Sequence, residues 1–468
     1  MDTRSAAWHY LLDKAWPLRT KLGLFLLVTG LALLGAYMLR TPALSEAGFH
    51  TLVILLLAAG LWISEAIPAF AVGLLVIGLE LLLLSFRPND PTPLAWEQFV
   101  NPWASPVVWL LLGGFCMATA AEQTRLDQRL SAFMVSFLGP KPGMFLLGIL
   151  LTTAILSMFI SNTATAALMM TVIGPFVARL GPHEPFRKAL PLGIALSASV
   201  GGMGTIIGSP PNAIALGYVQ SIGLDISFLD WMLFGVPLGL GLVVLVWAVL
   251  RWRYAGALQT LPGLPTEAEA AAARHFSLAQ LIVMGTFTVT VGLWLTSAWH
   301  GVSVAAISFL PIVVFAVTGI LKSEQIRLLP WDTLMLVAGG LSLGVAIRET
   351  GLADYLVGAL PLDPSGQVAF TILLLGYVTV GLSNIMSNTA AATILIPLGG
   401  TLLPEHALPV AVVISLSASA AVLLPISTPP NAIAYATGWL RQKDFTLLGL
   451  VIGLLAPPLF VWTMQLLG

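Results

Sequence analysis

The chain has 468 residues, of which 58% are hydrophobic and 9% are charged, and its formal net charge is −1. Soluble domains carry about 25% charged residues, so this composition excludes a soluble globular protein and predicts an all-α polytopic membrane protein. The near-zero net charge argues against a nucleic-acid partner, which needs a clustered basic surface. The single cysteine, Cys116, excludes an internal disulfide and a multi-cysteine metal site.

In chain order, the predicted elements are apolar stretches of the length that a membrane-spanning helix needs, about 20 residues. Residues 1–21 are mildly basic and amphipathic, which predicts a cytoplasmic lead-in helix. Two later apolar stretches, at about 144–179 and 367–402, each contain a polar Ser-Asn-Thr triplet. The other stretches predict eleven spans, at 22–39, 49–67, 69–86, 105–121, 189–218, 231–250, 278–298, 302–321, 331–347, 407–438 and 446–466.

The positive charges predict how the chain is oriented, because Arg and Lys in short loops mark the cytoplasmic side. With the N-terminus inside, only Arg40, Arg87 and Arg348 fall in outer segments, and the other 17 of the 20 Lys and Arg residues fall in inner ones. This bias predicts a cytoplasmic N-terminus and a periplasmic or extracellular C-terminus. We expect the protein in the inner (cell) membrane of a bacterium, in contact with membrane lipid.

The two triplets, Ser161–Thr163 and Ser387–Thr389, interrupt stretches whose arms are short for a span. Met144 to Ile160 gives about 25 Å of helix, against a hydrocarbon core of about 30 Å. Two short arms around a polar tip predict a re-entrant hairpin that enters and leaves on one side. Two complete spans in place of each hairpin would leave the later loops on the same sides of the membrane, so that alternative stays open.

The two halves of the chain repeat more than the triplets. LSMFISNT at 156–163 matches LSNIMSNT at 382–389, IALSAS at 194–199 matches ISLSAS at 414–419, and GSPPNAIA at 208–215 matches STPPNAIA at 427–434. Paired prolines predict broken helices at about 189–218 and 407–438. After an extra first span, each half holds five spans and one hairpin. Because five is an odd number, the second half enters the membrane in the opposite orientation to the first.

We therefore predict a first repeat at 22–252 with an extra first span, a cytoplasmic linker at 253–277 and an inverted second repeat at 278–468. Inverted repeats with interrupted helices are typical of secondary transporters. Hydroxyl, amide and carbonyl oxygens at the breaks suit a hard cation such as Na⁺, and helix N-termini suit an anion. No Lys or Arg lies between Met144 and Ala178, between Pro364 and Pro404, or in the two breaks, so co-bound cations would lower the cost of burying an anion. These residues alone leave the solute open between an anion and a neutral molecule.

Paired SNT motifs, each followed by a PPN segment, resemble the divalent anion:sodium symporter (DASS) family over nearly the whole chain. The resemblance implies a homodimer with an elevator mechanism that carries dicarboxylates, citrate or sulfate. It implies substrate contacts at Asn162, Thr163, Ser209, Pro210, Asn388, Thr389, Thr428 and Pro429. It implies Na⁺ ligands at Ser157, Ser161, Asn162 and Gly208 in the first half, and at Ser383, Met386 (through its carbonyl), Ser387, Asn388 and Ser427 in the second.

The resulting hypothesis is a Na⁺-coupled symporter of dicarboxylates such as succinate, malate or fumarate, and not an enzyme. Citrate or sulfate as the substrate and Na⁺-independent exchange remain alternatives. No basic residue replaces a sodium ligand, which favours symport. Glu80 lies in the middle of a predicted span and could relay protons. A Na⁺/H⁺ antiporter is less favoured, because no carboxylate lies among the repeated motifs.

Overall fold

The computed structural model describes residues 3–86, 93–181, 183–254, 258–260, 275–359 and 368–467, and over these ranges it contains helices and no strands. The all-α prediction is thereby confirmed for the described residues. Most of the predicted linker at 253–277 lies outside them. The helices are α1 (Thr3–Met38), α2 (Glu46–Ser64), α3 (Ala69–Glu80), α4 (Glu97–Val100), α5 (Pro106–Gln123), α6 (Leu126–Val135), α7 (Pro142–Ser157), α8 (Asn162–Arg179), α9 (Phe186–Gly201), α10 (Pro210–Ser221), α11 (Phe228–Tyr254), α12 (Leu278–Leu295), α13 (Ser297–His300), α14 (Val304–Ile307), α15 (Phe309–Val317), α16 (Ser323–Arg327), α17 (Trp331–Glu349), α18 (Leu352–Ala359), α19 (Val368–Ser383), α20 (Asn388–Leu402), α21 (Ala407–Ser419), α22 (Pro429–Ala436) and α23 (Gln442–Leu467).

Seven helical segments of the described chain are long and apolar enough to cross a membrane, or eight if the bent pair Asn388–Leu402 and Pro404–Ser419 counts as one span. The helices of that pair meet at an angle of 120°. The chain is therefore a multi-pass membrane protein, but these criteria do not give eleven spans. The predicted spans at 69–86 and 302–321 correspond to shorter apolar helices, Ala69–Ser85 and Val304–Val317.

Two further differences from the predicted elements have local causes. Residues Thr3–Met38 form one continuous helix, so the lead-in helix and the first span are not separate elements. The 302–321 stretch is divided at Ser308, which separates α14 from α15 and whose hydroxyl donates to the Val304 carbonyl at 2.6 Å.

The internal contacts divide the chain into two compact units. Unit 1 comprises Met1–Trp103 and Met335–Asp363, and unit 2 comprises Ala104–Leu334 and Pro364–Gly468. In unit 1, α1 packs against α2, and α2 packs against α3 and α18. Unit 2 contains both SNT triplets and both PPN segments.

Unit 2 has its core along α9 and α21, the helices that precede the two PPN breaks. From Ala189 onwards every residue of α9 is buried, and α21 is buried continuously from Val410. Helix α9 packs against α7, α8, α11 and α22, and α21 packs against α10, α19, α20 and α23. The chain segments around the two triplets are thus held by apolar helices on several sides.

Candidate functional site

Both SNT triplets lie where one helix ends and another begins. Helix α7 ends at Ser157 and α8 begins at Asn162, with Ser161 as its N-cap: the Ser161 hydroxyl accepts a hydrogen bond from the Ala164 amide at 3.2 Å. Serine is a favoured N-cap residue because its oxygen satisfies an amide that the helix leaves unpaired. The serine of the triplet therefore fixes where the helix starts.

The second triplet repeats this geometry. Helix α19 ends at Ser383 and α20 begins at Asn388, and Ser387 accepts a hydrogen bond from the Ala390 amide, again at 3.2 Å. The two arms pack against each other in each case. Each tip thus presents a helix N-terminus beginning with Asn-Thr, with the partial positive charge that favours an anion.

An oxygen-rich cluster lies behind the first tip. The Ser157 hydroxyl is 2.6 Å from Asn162 Oδ1 and 2.7 Å from the Ala198 carbonyl oxygen of α9. A hydroxyl has one proton and cannot donate fully to both acceptors. Ser157 is completely buried, so water does not reach it to relieve the excess of oxygen.

The same cluster recurs behind the second tip. The Ser383 hydroxyl is 2.7 Å from Asn388 Oδ1 and 3.1 Å from the Ala418 carbonyl oxygen of α21, and Ser383 is also completely buried. Three oxygens with one proton between them attract a hard cation, since oxygen ligands suit such ions. In the described residues no group of three or more His, Cys, Asp or Glu side chains forms an alternative metal site.

The Asn162 amide can face its cluster in either of two ways. With Oδ1 inward it adds an oxygen to the cluster. With the amide nitrogen inward, the orientation that the surrounding acceptors favour, that nitrogen lies 2.6 Å from the Ser157 hydroxyl, 3.1 Å from the Ala198 carbonyl and 3.2 Å from the Gly208 carbonyl, and its two protons can serve two of these oxygens. The first orientation suits a bound cation and the second a cation-free cluster, because only the second supplies protons to these oxygens.

Two glycines allow the backbone to come this close to Asn162. A Cβ atom at Gly202 would lie 2.7 Å from Asn162 Oδ1 and 2.8 Å from the Gly208 carbonyl oxygen, and one at Gly208 would lie 2.6 Å from the Gly202 carbonyl oxygen. Any side chain at these positions would displace the cluster. The first half of the chain therefore needs glycine here for packing rather than for an unusual backbone angle.

The PPN segments start new helices after each break. Ser209 and Thr428 are the N-caps of α10 and α22, both with extended backbone, and both helices have proline in their first turn. Proline is tolerated there because that amide has no helical partner. Thr428 Oγ1 also accepts a hydrogen bond from the backbone amide of Asn431 at 3.3 Å.

The asparagine of each PPN segment closes the break from the other side, a role that the sequence reasoning missed. The side-chain amide nitrogen of Asn212 donates to the Gly202 and Thr205 carbonyls at 2.9 and 2.8 Å. Likewise the Asn431 amide donates to the Val422 and Leu424 carbonyls at 3.1 and 2.9 Å. The exact repetition of PPN was the available signal. The Ala198 and Ala418 carbonyls were also missed, although both residues hold the same place in the repeated LSAS segment.

The two breaks touch each other inside unit 2. The Ser209 hydroxyl is 3.3 Å from that of Ser419, and the Ser199 hydroxyl donates to Thr428 Oγ1 at 3.4 Å. Helix α22 packs against α8, and α10 packs against α20. Each broken helix therefore contacts the tip helix of the opposite half.

The predicted site residues occupy two kinds of environment. Ser161, Thr163, Ser387 and Pro429 are exposed, whereas Asn162, Asn388, Thr389 and Pro210 are half-buried. The other predicted residues are buried: Ser157, Gly208, Ser209, Ser383, Met386, Ser427 and Thr428. The structure brings Ser157, Asn162 and Gly208 together, whereas the Ser161 hydroxyl caps α8. Ser383 lies next to Asn388, whereas the Ser427 hydroxyl donates to the Leu424 carbonyl at 2.8 Å.

Glu80 belongs to unit 1 and lies outside these clusters. It is completely buried, and its Oε2 is hydrogen-bonded to the Ser342 hydroxyl, which is also 2.9 Å from the Phe99 carbonyl oxygen. Its Oε1 has no hydrogen-bond partner among the described residues. Through Ser342, Glu80 of α3 is thus linked to α17 and to Phe99 of α4. These hydrogen bonds include no residue of either triplet.

Interrupted helices within apolar segments, paired oxygen clusters and uncharged helix N-termini define a membrane transporter rather than an enzyme. Comparison with known proteins gives the same class. A family model described as citrate transporter matches residues 52–413. The sodium-dependent dicarboxylate transporter SdcS of Staphylococcus saprophyticus subsp. saprophyticus is 33% identical over 448 residues, which cover 88% of this chain and 85% of that protein.

SdcS of Staphylococcus aureus strain USA300 is 30% identical over 444 residues, covering 87% of this chain and 84% of that protein. The chain therefore belongs to the citrate transporter family that the model describes, which confirms the resemblance to the divalent anion:sodium symporters. Among solved structures, the crystal structure of the Alcanivorax borkumensis YdaH transporter aligns with a TM-score of 0.48 at 14% identity, over 84% of this chain and 95% of that one.

Proposed function

We propose that this protein couples Na⁺ influx to the uptake of C4-dicarboxylates such as succinate, malate and fumarate across a bacterial inner membrane. The observation that carries the proposal is the oxygen cluster behind each SNT tip, found twice with nearly the same distances. The names of the two relatives, sodium-dependent dicarboxylate transporters, support the choice of ion and substrate.

In the first half, Na⁺ is held by the Ser157 hydroxyl, the Asn162 amide oxygen and the Gly208 carbonyl, and the Ala198 carbonyl joins them. These are neutral oxygen ligands, which suit a hard monovalent cation that must also be released. Ser161 acts beside them as the N-cap of α8. The two orientations of the Asn162 amide let the cluster satisfy its hydrogen bonds when the ion leaves.

In the second half, Na⁺ is held by the Ser383 hydroxyl, the Asn388 amide oxygen and the Ala418 carbonyl. The Met386 carbonyl and Ser427 complete this set, with Ser387 capping α20. Ser427 donates its proton to Leu424, which leaves its hydroxyl lone pairs available to a cation.

The substrate carboxylates lie at the N-termini of α8 and α20, against Asn162, Thr163, Asn388 and Thr389. Ser209 with Pro210 and Thr428 with Pro429 start the two helices alongside. Four helix N-termini supply partial positive charge without any Lys or Arg. Two equivalent tips suit a substrate with two equivalent carboxylates, and bound Na⁺ offsets the remaining negative charge.

We further propose that the two halves form an inverted repeat, that the transport unit moves as an elevator and that the protein is a homodimer. The recurrence in both halves of the serine N-caps, the serine–asparagine–carbonyl clusters and the PPN asparagine contacts supports the repeat. The bias of basic residues supports a cytoplasmic N-terminus and a periplasmic C-terminus.

Citrate is the second candidate substrate, because the matching family model is described as a citrate transporter. Its third carboxylate would need a donor that the two equivalent tips do not supply. Competition for labelled succinate by citrate, compared with malate, separates these candidates.

Uptake of labelled succinate into proteoliposomes tests the proposal, with an inward Na⁺ gradient compared with an equal K⁺ gradient. We expect uptake only with Na⁺, and its loss in Asn162→Ala and in Asn388→Ala. Thr288→Ala serves as the control, since this exposed hydroxyl donates to the Met284 carbonyl of its own helix at 2.9 Å and Thr288 belongs to neither tip. Succinate exchange without Na⁺ would contradict the coupling, and absence of succinate transport in either gradient would contradict the substrate.

A further inference from the structure

A small cavity lies where the last turn of α11 meets the first turns of α23. Its volume is about 160 Å³, enough for a phosphodiester group but not for a whole lipid, and its lining includes Arg253, Tyr254, Lys443 and Leu447. We infer that this cavity binds the phosphate of an anionic phospholipid. The inference is independent of the proposed substrate and ion.

The charges around the cavity leave it positive. Asp444 is the acidic residue of the lining, and it is already neutralised: Lys188 Nζ donates to its two carboxylate oxygens at 2.9 and 2.8 Å, and the Arg441 amide donates at 2.7 Å. The Asp444 side chain is only 8% exposed. The Tyr254 hydroxyl of the cavity lining also donates to Asp444 Oδ1 at 3.5 Å. Lys188 therefore balances the Asp444 charge, and Arg253 and Lys443 leave the lining with a net positive charge.

Arg253 and Lys443 have no acidic partner within the described ranges. Both are exposed, and the Arg253 guanidinium lies 5.5 Å from the centre of the neighbouring Tyr254 ring. An arginine and a lysine from two different helices can bind one phosphate from two sides, the arginine by a planar fork and the lysine as a point charge. The ligand chemistry that fits is therefore an anion with several oxygens.

Apolar surface next to the cavity favours a lipid over a free phosphate ion. Leu447, Leu450 and Leu454 are 40%, 46% and 59% exposed, and their spacing places them along one stripe of α23. This stripe leads from the cavity along the spanning helix and provides contact for an acyl chain. Trp252, which precedes Arg253 in the chain and is 77% exposed, is the type of residue that lies at the level of lipid headgroups.

The position of the cavity in the membrane agrees with this ligand. Arg253 and Lys443 are at the ends of two spanning helices, on the side that the charge bias predicts to be cytoplasmic. Basic pockets between spanning helices on that side bind anionic headgroups. Because α11 and α23 come from different halves of the chain, a phosphate between Arg253 and Lys443 would connect them.

The test compares lipid binding to the purified full-length protein by native mass spectrometry and by melting temperature. Phosphatidylglycerol, phosphatidylcholine and inorganic phosphate are the three probes. We expect phosphatidylglycerol to bind and stabilise the wild type at concentrations at which the other two do not. Equal binding of phosphatidylglycerol and phosphatidylcholine would overturn the proposal, and so would equal stabilisation by inorganic phosphate.

A double variant locates the site. Arg253→Gln with Lys443→Gln should weaken phosphatidylglycerol binding about 10- to 30-fold, as expected for two basic residues near the membrane surface. Lys322→Gln with Arg327→Gln removes the same two charges from exposed positions away from the cavity and should leave binding unchanged. An equal loss in both double variants would overturn the assignment. The comparison of lipids on the wild type keeps the test valid if a variant folds poorly.

Discussion

Replacing Gly202 with alanine tests the proposed Na⁺ site at the first tip. The backbone at Gly202 has φ −57° and ψ −17°, which alanine adopts without strain. The added methyl group, however, would lie 2.7 Å from Asn162 Oδ1, where ordinary contact begins at 3.4 Å. The amide oxygen must therefore retreat by about 0.7 Å, the difference between these distances.

The cluster cannot follow this retreat as a whole. Ser157 stays with the Ala198 carbonyl at 2.7 Å, and the Gly208 carbonyl oxygen is itself 2.8 Å from the new methyl group. Overpacking of this kind costs about 1–3 kcal/mol. If the cost falls on the cation-bound form, the Na⁺ concentration for half-maximal uptake rises by a factor of about 5 to 150.

The assay is Na⁺-dependent succinate uptake in proteoliposomes over a range of Na⁺ concentrations. Gly285→Ala in α12 is the matched control, because this glycine is exposed and a Cβ there meets nothing within 4 Å. This control should be neutral or slightly stabilising. A Gly202→Ala protein of normal melting temperature and unchanged Na⁺ dependence would refute the assignment of Na⁺ to the Asn162 cluster.

Three further predictions concern stability. Asn212→Ala should lower the free energy of unfolding by about 1 kcal/mol more than Asn431→Ala does, with a correspondingly lower melting temperature. The reason is that the Asn212 side-chain oxygen accepts a hydrogen bond from a serine hydroxyl at 2.8 Å, whereas the Asn431 side-chain oxygen has no partner among the described residues. An equal loss would show that the Asn212 side-chain oxygen contributes nothing. Asp444→Asn should lower the free energy of unfolding by about 1–3 kcal/mol, because the partly exposed Lys188 ammonium loses its charged, buried partner. A melting temperature like that of the wild type would contradict this. Burial raises the pKa of the Asp127 carboxyl in the folded protein. The folded protein should therefore lose stability as pH rises from the ordinary pKa of Asp through the raised pKa. Asp127→Asn should remove this decrease of melting temperature with pH. Parallel pH profiles of the two proteins would contradict the shift.

The positions of the helix breaks could be predicted from sequence because they rest on local chemistry. Ser161 and Ser387 interrupt apolar runs at positions where serine caps a helix, and Pro210 and Pro429 suit the first turn of a helix, where their missing amides have no helical partner. These signals act over a few residues, so composition and spacing reveal them. The repetition of both signals in the second half then predicts that the two breaks serve one site.

The number of spans and the complete oxygen sets could not be predicted in the same way. Ala198 and Ala418 contribute backbone carbonyls, which every residue carries, so only the fold selects these two. The division of the 302–321 stretch at Ser308 has a local signal in Pro311, whose missing amide and whose ring disrupt a helix over the preceding residues, but a count of apolar residues does not register it. The partner of Glu80 is Ser342, 262 residues away, and no local pattern joins them.

The contact between the two breaks has a thermodynamic consequence. Helix α22, which starts at the second break, packs against α8 of the first tip, and α10 packs against α20 of the second. An ion that orders one tip therefore also orders a helix N-terminus belonging to the opposite half. Binding free energies are reciprocal, so if Na⁺ raises the affinity for the carboxylates by some factor, the carboxylates raise the affinity for Na⁺ by the same factor. Positive cooperativity between Na⁺ and the carboxylates would then follow from the packing of each broken helix against the tip helix of the opposite half, without a separate conformational change that couples the two halves.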